Sequence, residues 1–183
     1  MLGFNGGLLG KRRVPSVGVA SGLWFQNEQG VAKREGIWPL GITNINVASI
    51  AYTQSANYGA GGPNAANANM TDGSFTNTAT ATGNPGWVQA DLGQPYVVGT
   101  VVVGTATANI PGGFSKFYTE NCIVEHSLDG SSWTTAFNTG SFAAEGIYSF
   151  SVNFTARYVQ IRNPNSWLAV SEFYALAPGQ SYP

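Results

Sequence analysis

The chain has 183 residues, room for one globular domain of ordinary size plus a short extension. Hydrophobic residues make up 43% and aromatic residues 13%, enough to fill a core, while charged residues reach only 9% against the usual quarter. Eight basic side chains against nine acidic ones leave a net charge of -1, which excludes a nucleic-acid binder that neutralises phosphates and a charge-expanded disordered chain alike.

The single cysteine, Cys122, excludes an intrachain disulfide, and the single histidine, His126, leaves no partner for a two-histidine metal site. No apolar run approaches the ~20 residues that cross a bilayer, so membrane insertion is not expected. The basic cluster Lys11-Arg12-Arg13 follows the apolar start instead of preceding it, the reverse of a secretory signal, and no signal peptide is expected.

Residues 1–40 hold five of the eight basic residues against Glu28 and Glu35, a net of +3, and residues 41–183 carry a net of -4. Trp38-Pro39-Leu40-Gly41 breaks regular structure between them. The chain therefore reads as an extended, mostly irregular N-terminal arm (1–40) and a domain (41–183). Eight glycines in the arm leave it without a core of its own. One short helix fits, capped by Asn27, with Glu28 in its first turn, Lys33 and Arg34 in its last and Gly36 at its exit. Leu23, Trp24, Phe25, Ile37 and Trp38 are too apolar to stand in water. They either fold back on the domain or dock on another subunit, and glycine-rich segments with isolated anchors gain order on binding, which favours docking.

Strands follow. Trp87–Leu92 alternates, Tyr96–Val103 is apolar on both faces like a central strand, and Cys122–Leu128 turns through Asp129-Gly130-Ser131-Ser132 into Trp133–Phe137. Tyr148, Phe150, Val152 and Phe154 alternate with polar residues, and Arg157–Arg162 and Leu168–Tyr174 complete the set. The pattern predicts an all-β, antiparallel β-sandwich with no helix of substance.

Four stretches carry a resemblance. Trp87-Val-Gln-Ala-Asp-Leu-Gly93, Val124-Glu-His-Ser-Leu-Asp-Gly-Ser-Ser-Trp133, Ala156-Arg-Tyr-Val-Gln-Ile-Arg162 and Val170-Ser-Glu-Phe173 follow in order the pattern of the discoidin, or coagulation factor V/VIII type C, family. It covers about residues 44–177 and implies a galactose-binding-like jelly roll, a fold whose members bind sugars, lipids or proteins. Residues 71–78 resemble the loop that in many members holds a structural calcium. Asp72 and Glu172 would then supply carboxylates, with Ser74, Thr76 or Thr78 supplying further oxygens. The tryptophan that usually follows this loop is missing, and an Asp-Gly turn bonded to itself is the competing reading.

Within the arm, Leu23-Trp-Phe-Gln-Asn-Glu-Gln29, Ala32-Lys-Arg34 and Gly36-Ile-Trp-Pro39 resemble a leader near the start of tailed-bacteriophage virion proteins. A virion protein is made in the host cytoplasm and released by lysis, which agrees with the missing signal.

His126, on a face shared with Val124 and Leu128, reads as a hydrogen-bonded core histidine sooner than as a general base. Cys122 reads as a small buried hydrophobe, and Asp91 with Arg157 as a structural pair under the sheet. The domain's acids are scattered, with no glycosidase-like pair, so no enzyme is expected. Sugar binding needs an aromatic platform and planar polar groups, which the resemblance places on loops at one end of the sandwich. The matching residues are Tyr58, Phe114, Lys116, Asn165 and Trp167; against this, Phe117, Tyr118 and Trp167 could be core plugs beneath those loops.

The expectation is a non-enzymatic phage structural protein of the tail, neck, fibre or capsid, a trimer as first choice of oligomer, contacting other virion proteins through its arm and host-surface glycans through its domain. The alternatives are a decoration or connector touching only virion proteins, and a bacterial carbohydrate-binding lectin.

Overall fold

The computed structural model describes residues 44–56, 70–71, 73, 79–81, 84–106 and 115–181. All belong to the unit Ile42–Pro183, one of two into which the chain divides, the other being Met1–Gly41. The expected arm helix and the docking residues Leu23, Trp24, Phe25, Ile37 and Trp38 lie outside the described residues.

The strands are β1 (Ala51–Gln54), β2 (Ala79–Ala81), β3 (Gly86–Thr105), β4 (Ile123–Ser127), β5 (Thr134–Asn138), β6 (Ile147–Asn163) and β7 (Leu168–Leu176). The helical content of the described residues is two 3-10 turns, Val47–Ser49 and Lys116–Tyr118. All pairings are antiparallel, in the order β2-β7-β3-β6-β4-β5 with β1 on β3.

Two elements are longer than the sequence pattern suggests. The segments expected as Trp87–Leu92 and Tyr96–Val103 form one strand, β3, and Tyr148–Phe154 and Arg157–Arg162 form one strand, β6. They pair with each other throughout, but the register slips between Asp91↔Tyr158 and Tyr96↔Ala156, where five steps along β3 oppose two along β6. There the ribbon turns back over itself. One half of β3 lies between β1 and the second half of β6; the other lies between β7 and the first half of β6. The result is a sandwich, one layer β2-β7-β3-β6 and the other β1-β3-β6-β4-β5, with β3 and β6 in both. Asp91 and Arg157 stand at this corner as a bidentate pair, Nε to Oδ1 at 2.9 Å and Nη2 to Oδ2 at 3.0 Å. That is the structural pair read from the sequence, at a partly exposed bend and not under the sheet.

The core lies between the layers. Val88, Ala90, Val98, Val101 and Val103 of β3 meet Tyr52, Val124, Val159, Ile161, Val170 and Phe173 in one buried cluster. At about 25 cal/mol per Å² of apolar surface removed from water, such burial is the main term opposing chain entropy. Cys122 is fully buried in this cluster, and burial pushes its thiol up to about 12, so it is the buried hydrophobe expected.

The domain closes through one side chain. Gln180 Oε1 accepts from the backbone N–H of Ile45 at 3.0 Å and of Ala177 at 3.1 Å, and its Nε2 donates to Ile45 O at 2.8 Å. By register, Ala51 stands opposite Asp91 and Leu176 opposite Thr100, so the chain enters and leaves near the corner.

Candidate functional site

At the end opposite the corner, three loop bases come together. Ser55, after β1, exchanges hydrogen bonds with Trp87, donating from its N–H to Trp87 O at 3.0 Å and accepting at Oγ from Trp87 N at 3.2 Å. Next to Trp87, the Gly86 N–H donates to Ser166 O at 3.1 Å, which ties in the loop between β6 and β7. Asn163 Nδ2 reaches Tyr118 O at 3.5 Å, and Thr119 Oγ1 donates to Ala169 O at 2.6 Å while accepting from Ala106 N at 3.1 Å. Both feet of the long loop 107–118 are thereby fixed beside the start of β7. Hydroxyl and amide side chains do this work because each carries donor and acceptor capacity for backbone groups that leave the ladder.

The residues expected to bind sugar divide as follows. Trp167 and Asn165 are exposed, Trp167 at 40%, on a loop braced by the Asn163 carboxamide oxygen accepting from Asn165 N at 3.1 Å. Tyr58 and Phe114 lie outside the described residues, though the feet of their loops are at this end. Lys116 is there too, but its ammonium is engaged by the Glu120 carboxylate of its own turn and by the Phe142 carbonyl of the connection between β5 and β6. Glu120 also accepts from Phe142 N at 3.0 Å, and its lysine partner, with this bond, holds its carboxyl below the usual range.

Two residues read as possible core plugs stand differently. Phe117 is 70% exposed, the most exposed large apolar side chain among the described residues, with the Lys116 ammonium 5.0 Å from its ring. Trp167 is likewise no plug, whereas Tyr118 is half-buried against Ala106 and Ala169. The exposure of Phe117 was not legible in the sequence because its neighbour Tyr118 has the same apolar character. Only the 3-10 turn decides which of the two faces water.

The expected calcium site is described in part. Glu172 is fully buried on β7, where Gly104 opposes it. The next residue, Phe173, donates from its N–H to Met70 O at 3.1 Å, placing the start of loop 71–78 beside it. Tyr52 donates from its hydroxyl to Phe173 O at 2.6 Å, and burial, reinforced by the Glu172 charge, pushes the phenol far above its ordinary value. Asp72, Ser74, Thr76 and Thr78 lie outside the described residues. Among the described residues no three His, Cys, Asp or Glu side chains gather as a metal cluster.

His126 departs from its expected role. It is half-buried, lies flat on Phe154 with ring centroids 4.2 Å apart and planes 5° apart, and faces a groove instead of the core. Burial pulls its pKa down, so the ring is neutral at neutral pH. One step before it, Glu125 takes a bidentate bond from Arg162, at 2.7 and 3.0 Å, that bridges β4 and β6. The sequence carries no sign of that pair beyond two opposite charges in separate strands.

The model of the F5/8 type C domain matches residues 50–173. Among solved structures, a fucolectin from striped bass serum (Morone saxatilis) superposes with a TM-score of 0.61 at 20% identity, over 74% of this chain and 49% of that one. A fucose-binding module of Streptococcus pneumoniae gives 0.58 at 19%, over 76% and 97%. A family 32 carbohydrate-binding module from Clostridium perfringens, in complex with galactose, gives 0.54 at 13%, over 74% and 97%. No curated protein matches the sequence. These identities carry the fold alone, but the family match spans more than half of the chain, and by it the chain belongs to the F5/8 type C (discoidin-like) domain family.

Proposed function

We propose that the domain is a non-catalytic glycan-binding module that a bacteriophage particle displays to attach to its host. The observation that carries the reading is the convergence of the loops at Ser55, Tyr118 and Ser166 on one end of the sandwich, with Trp167 and Phe117 exposed there. Aromatic faces cover the C–H side of a sugar ring, and side chains such as Asn165 meet its hydroxyls. The similar structures named above include a fucose-binding module and a module in complex with galactose, which supports the ligand class. Ile45 lies toward the end of the domain opposite these loops. The resemblance of residues 23–39 to phage leaders supports the virion, and copies in a symmetric oligomer would multiply weak contacts. The calcium belongs to this reading as a structural ion: the buried Glu172 carboxylate suits a cation with oxygen ligands, with Asp72, Ser74 and Thr78 as partners.

A second reading, a bacterial carbohydrate-binding lectin, is favoured by the bacterial origin of the similar modules. A glycan array probed with the full chain tests the ligand class. Selective binding should fall by roughly fivefold in Trp167→Ala and in Tyr58→Ala, as expected for ~1 kcal/mol per stacked ring. A silent array would overturn glycan attachment and leave a connector that touches only virion proteins.

A further inference from the structure

One flank of the sandwich is left open by its own strands. The first half of β6 pairs with β3 alone, since β4 joins β6 only from Tyr158 onward, and β5 pairs with β4 alone, in both cases among the described residues. These edges belong to different layers, and the layer holding β4 and β5 extends past the other. Two ring pairs bridge the gap, His126 on Phe154 and Phe137 on Phe150, the latter with centroids 4.5 Å apart. Beside them runs a groove of about 570 Å³, walled by Ser149, Ser151 and Asn153 of β6 and by Thr135 and Asn138 of β5.

Long natural edges are blunted by lysine, proline or a covering element. Here Ile147–Ala156 (Ile-Tyr-Ser-Phe-Ser-Val-Asn-Phe-Thr-Ala) and Thr134–Asn138 (Thr-Thr-Ala-Phe-Asn) contain no charged residue and no proline. The groove lies where one layer lacks the strand that would cover the overhang of the other. A sugar finds few ring faces there, because the rings lie on each other. An extended polypeptide finds a strand edge to pair with and a neutral wall.

We infer that this groove receives an added β-strand, and that the strand is the uncharged run Val14–Leu23 of a second copy of this chain. That run, Val-Pro-Ser-Val-Gly-Val-Ala-Ser-Gly-Leu, sits between Lys11-Arg12-Arg13 and Glu28. As a strand it sets Val17, Val19 and Leu23 on one side and Gly18, Ala20 and Gly22 on the other. The first side matches the apolar groove residues Phe150, Val152 and Phe154; the second lets the backbone lie close. Pro15, without an N–H, suits the first position of such a strand. The 21 residues between Leu23 and Ile45 reach up to about 70 Å when extended, far enough for the flank of a neighbouring copy. The inference rests on the reading that the arm docks on another subunit, and names the acceptor.

Full-length chain carrying Ser151→Cys, mixed with full-length chain carrying Ala20→Cys under mild oxidation, tests it. Cys122 stays silent in this assay because it is fully buried. The expected result is a disulfide between the two variants. In Ser151→Lys/Asn153→Lys, whose sites are exposed and tolerate lysine, the oligomer seen by light scattering should be lost. An oligomer indifferent to the lysines, with no cross-link, overturns the groove while leaving arm docking intact. A disulfide closing within one chain of the Ala20→Cys/Ser151→Cys double variant at high dilution overturns the second copy as donor. A chain that stays monomeric overturns both arm docking and this proposal. So does a neutral oligosaccharide whose binding, not the oligomer, is what the lysines abolish.

Discussion

A carboxylate sealed from water has to be compensated, because transferring an isolated charge into a protein interior costs several kcal/mol even after relaxation. Glu172 is fully buried on β7, with the phenol of Tyr52 near enough to feel its charge. If the ion proposed above compensates it, calcium at a hundredfold its dissociation constant should stabilise the fold by about 2.7 kcal/mol. Thermal melts with calcium and with chelator then differ by several degrees in the parent chain and coincide in Glu172→Gln. Coincident melts in the parent chain would remove calcium from the account. Single residues were legible in the sequence where a chemical type admits one solution. Cys122 is buried because a lone thiol suits a core, and Asp91 pairs with Arg157 as read, whereas the equally opposite charges of Glu125 and Arg162 were not read as a pair. Phe117 and His126 were not legible, because a 3-10 turn for the first and a register shift just before it in the β4–β5 ladder for the second decide which way the ring faces.

At the scale of elements, the departures concern length more than kind. Each expected strand is present, but β3 and β6 run on through what reads as two strands apiece, since Gly93-Gln94-Pro95 and Thr155-Ala156 look like breaks and are the outside of a bend. Two glycines show how tightly β3 is held. A Cβ on Gly104 would sit 2.4 Å from Ser171 Oγ and 2.9 Å from Glu172 N, and one on Gly99 would sit 2.6 Å from Pro178 Cα. Gly104→Ala and Gly99→Ala must push backbone aside, which costs about 1–3 kcal/mol. At ~2–4 °C of melting temperature per kcal/mol, each should lower the midpoint measurably. Gly146→Ala, whose Cβ would meet only the Tyr148 ring at 3.5 Å, should leave it nearly unchanged. Equal midpoints for all three would show that β3 yields more easily than its neighbours imply.

For the whole molecule, the fold class was legible because alternation and turn spacing specify two packed layers, while the convergence of loops was legible only through the family resemblance, because it depends on register between distant strands. The Gln180 clasp on Ile45 joins the beginning and end of the unit Ile42–Pro183 through that unit's own residues. Removing residues 1–40 should therefore leave a β-rich circular dichroism spectrum and a cooperative melt, with light scattering reporting a monomer. Loss of the cooperative melt would tie the arm to the domain's own stability. The doubled-back ribbon of β3 and β6 also has a mechanical meaning. Hydrogen bonds in an antiparallel ladder run across the strands, so a pull between the loops and the tethered base acts along the strands and loads many of those bonds in shear at once. If the domain is the attachment module proposed above, such a pull would break its hold on the ligand before its own strands came apart.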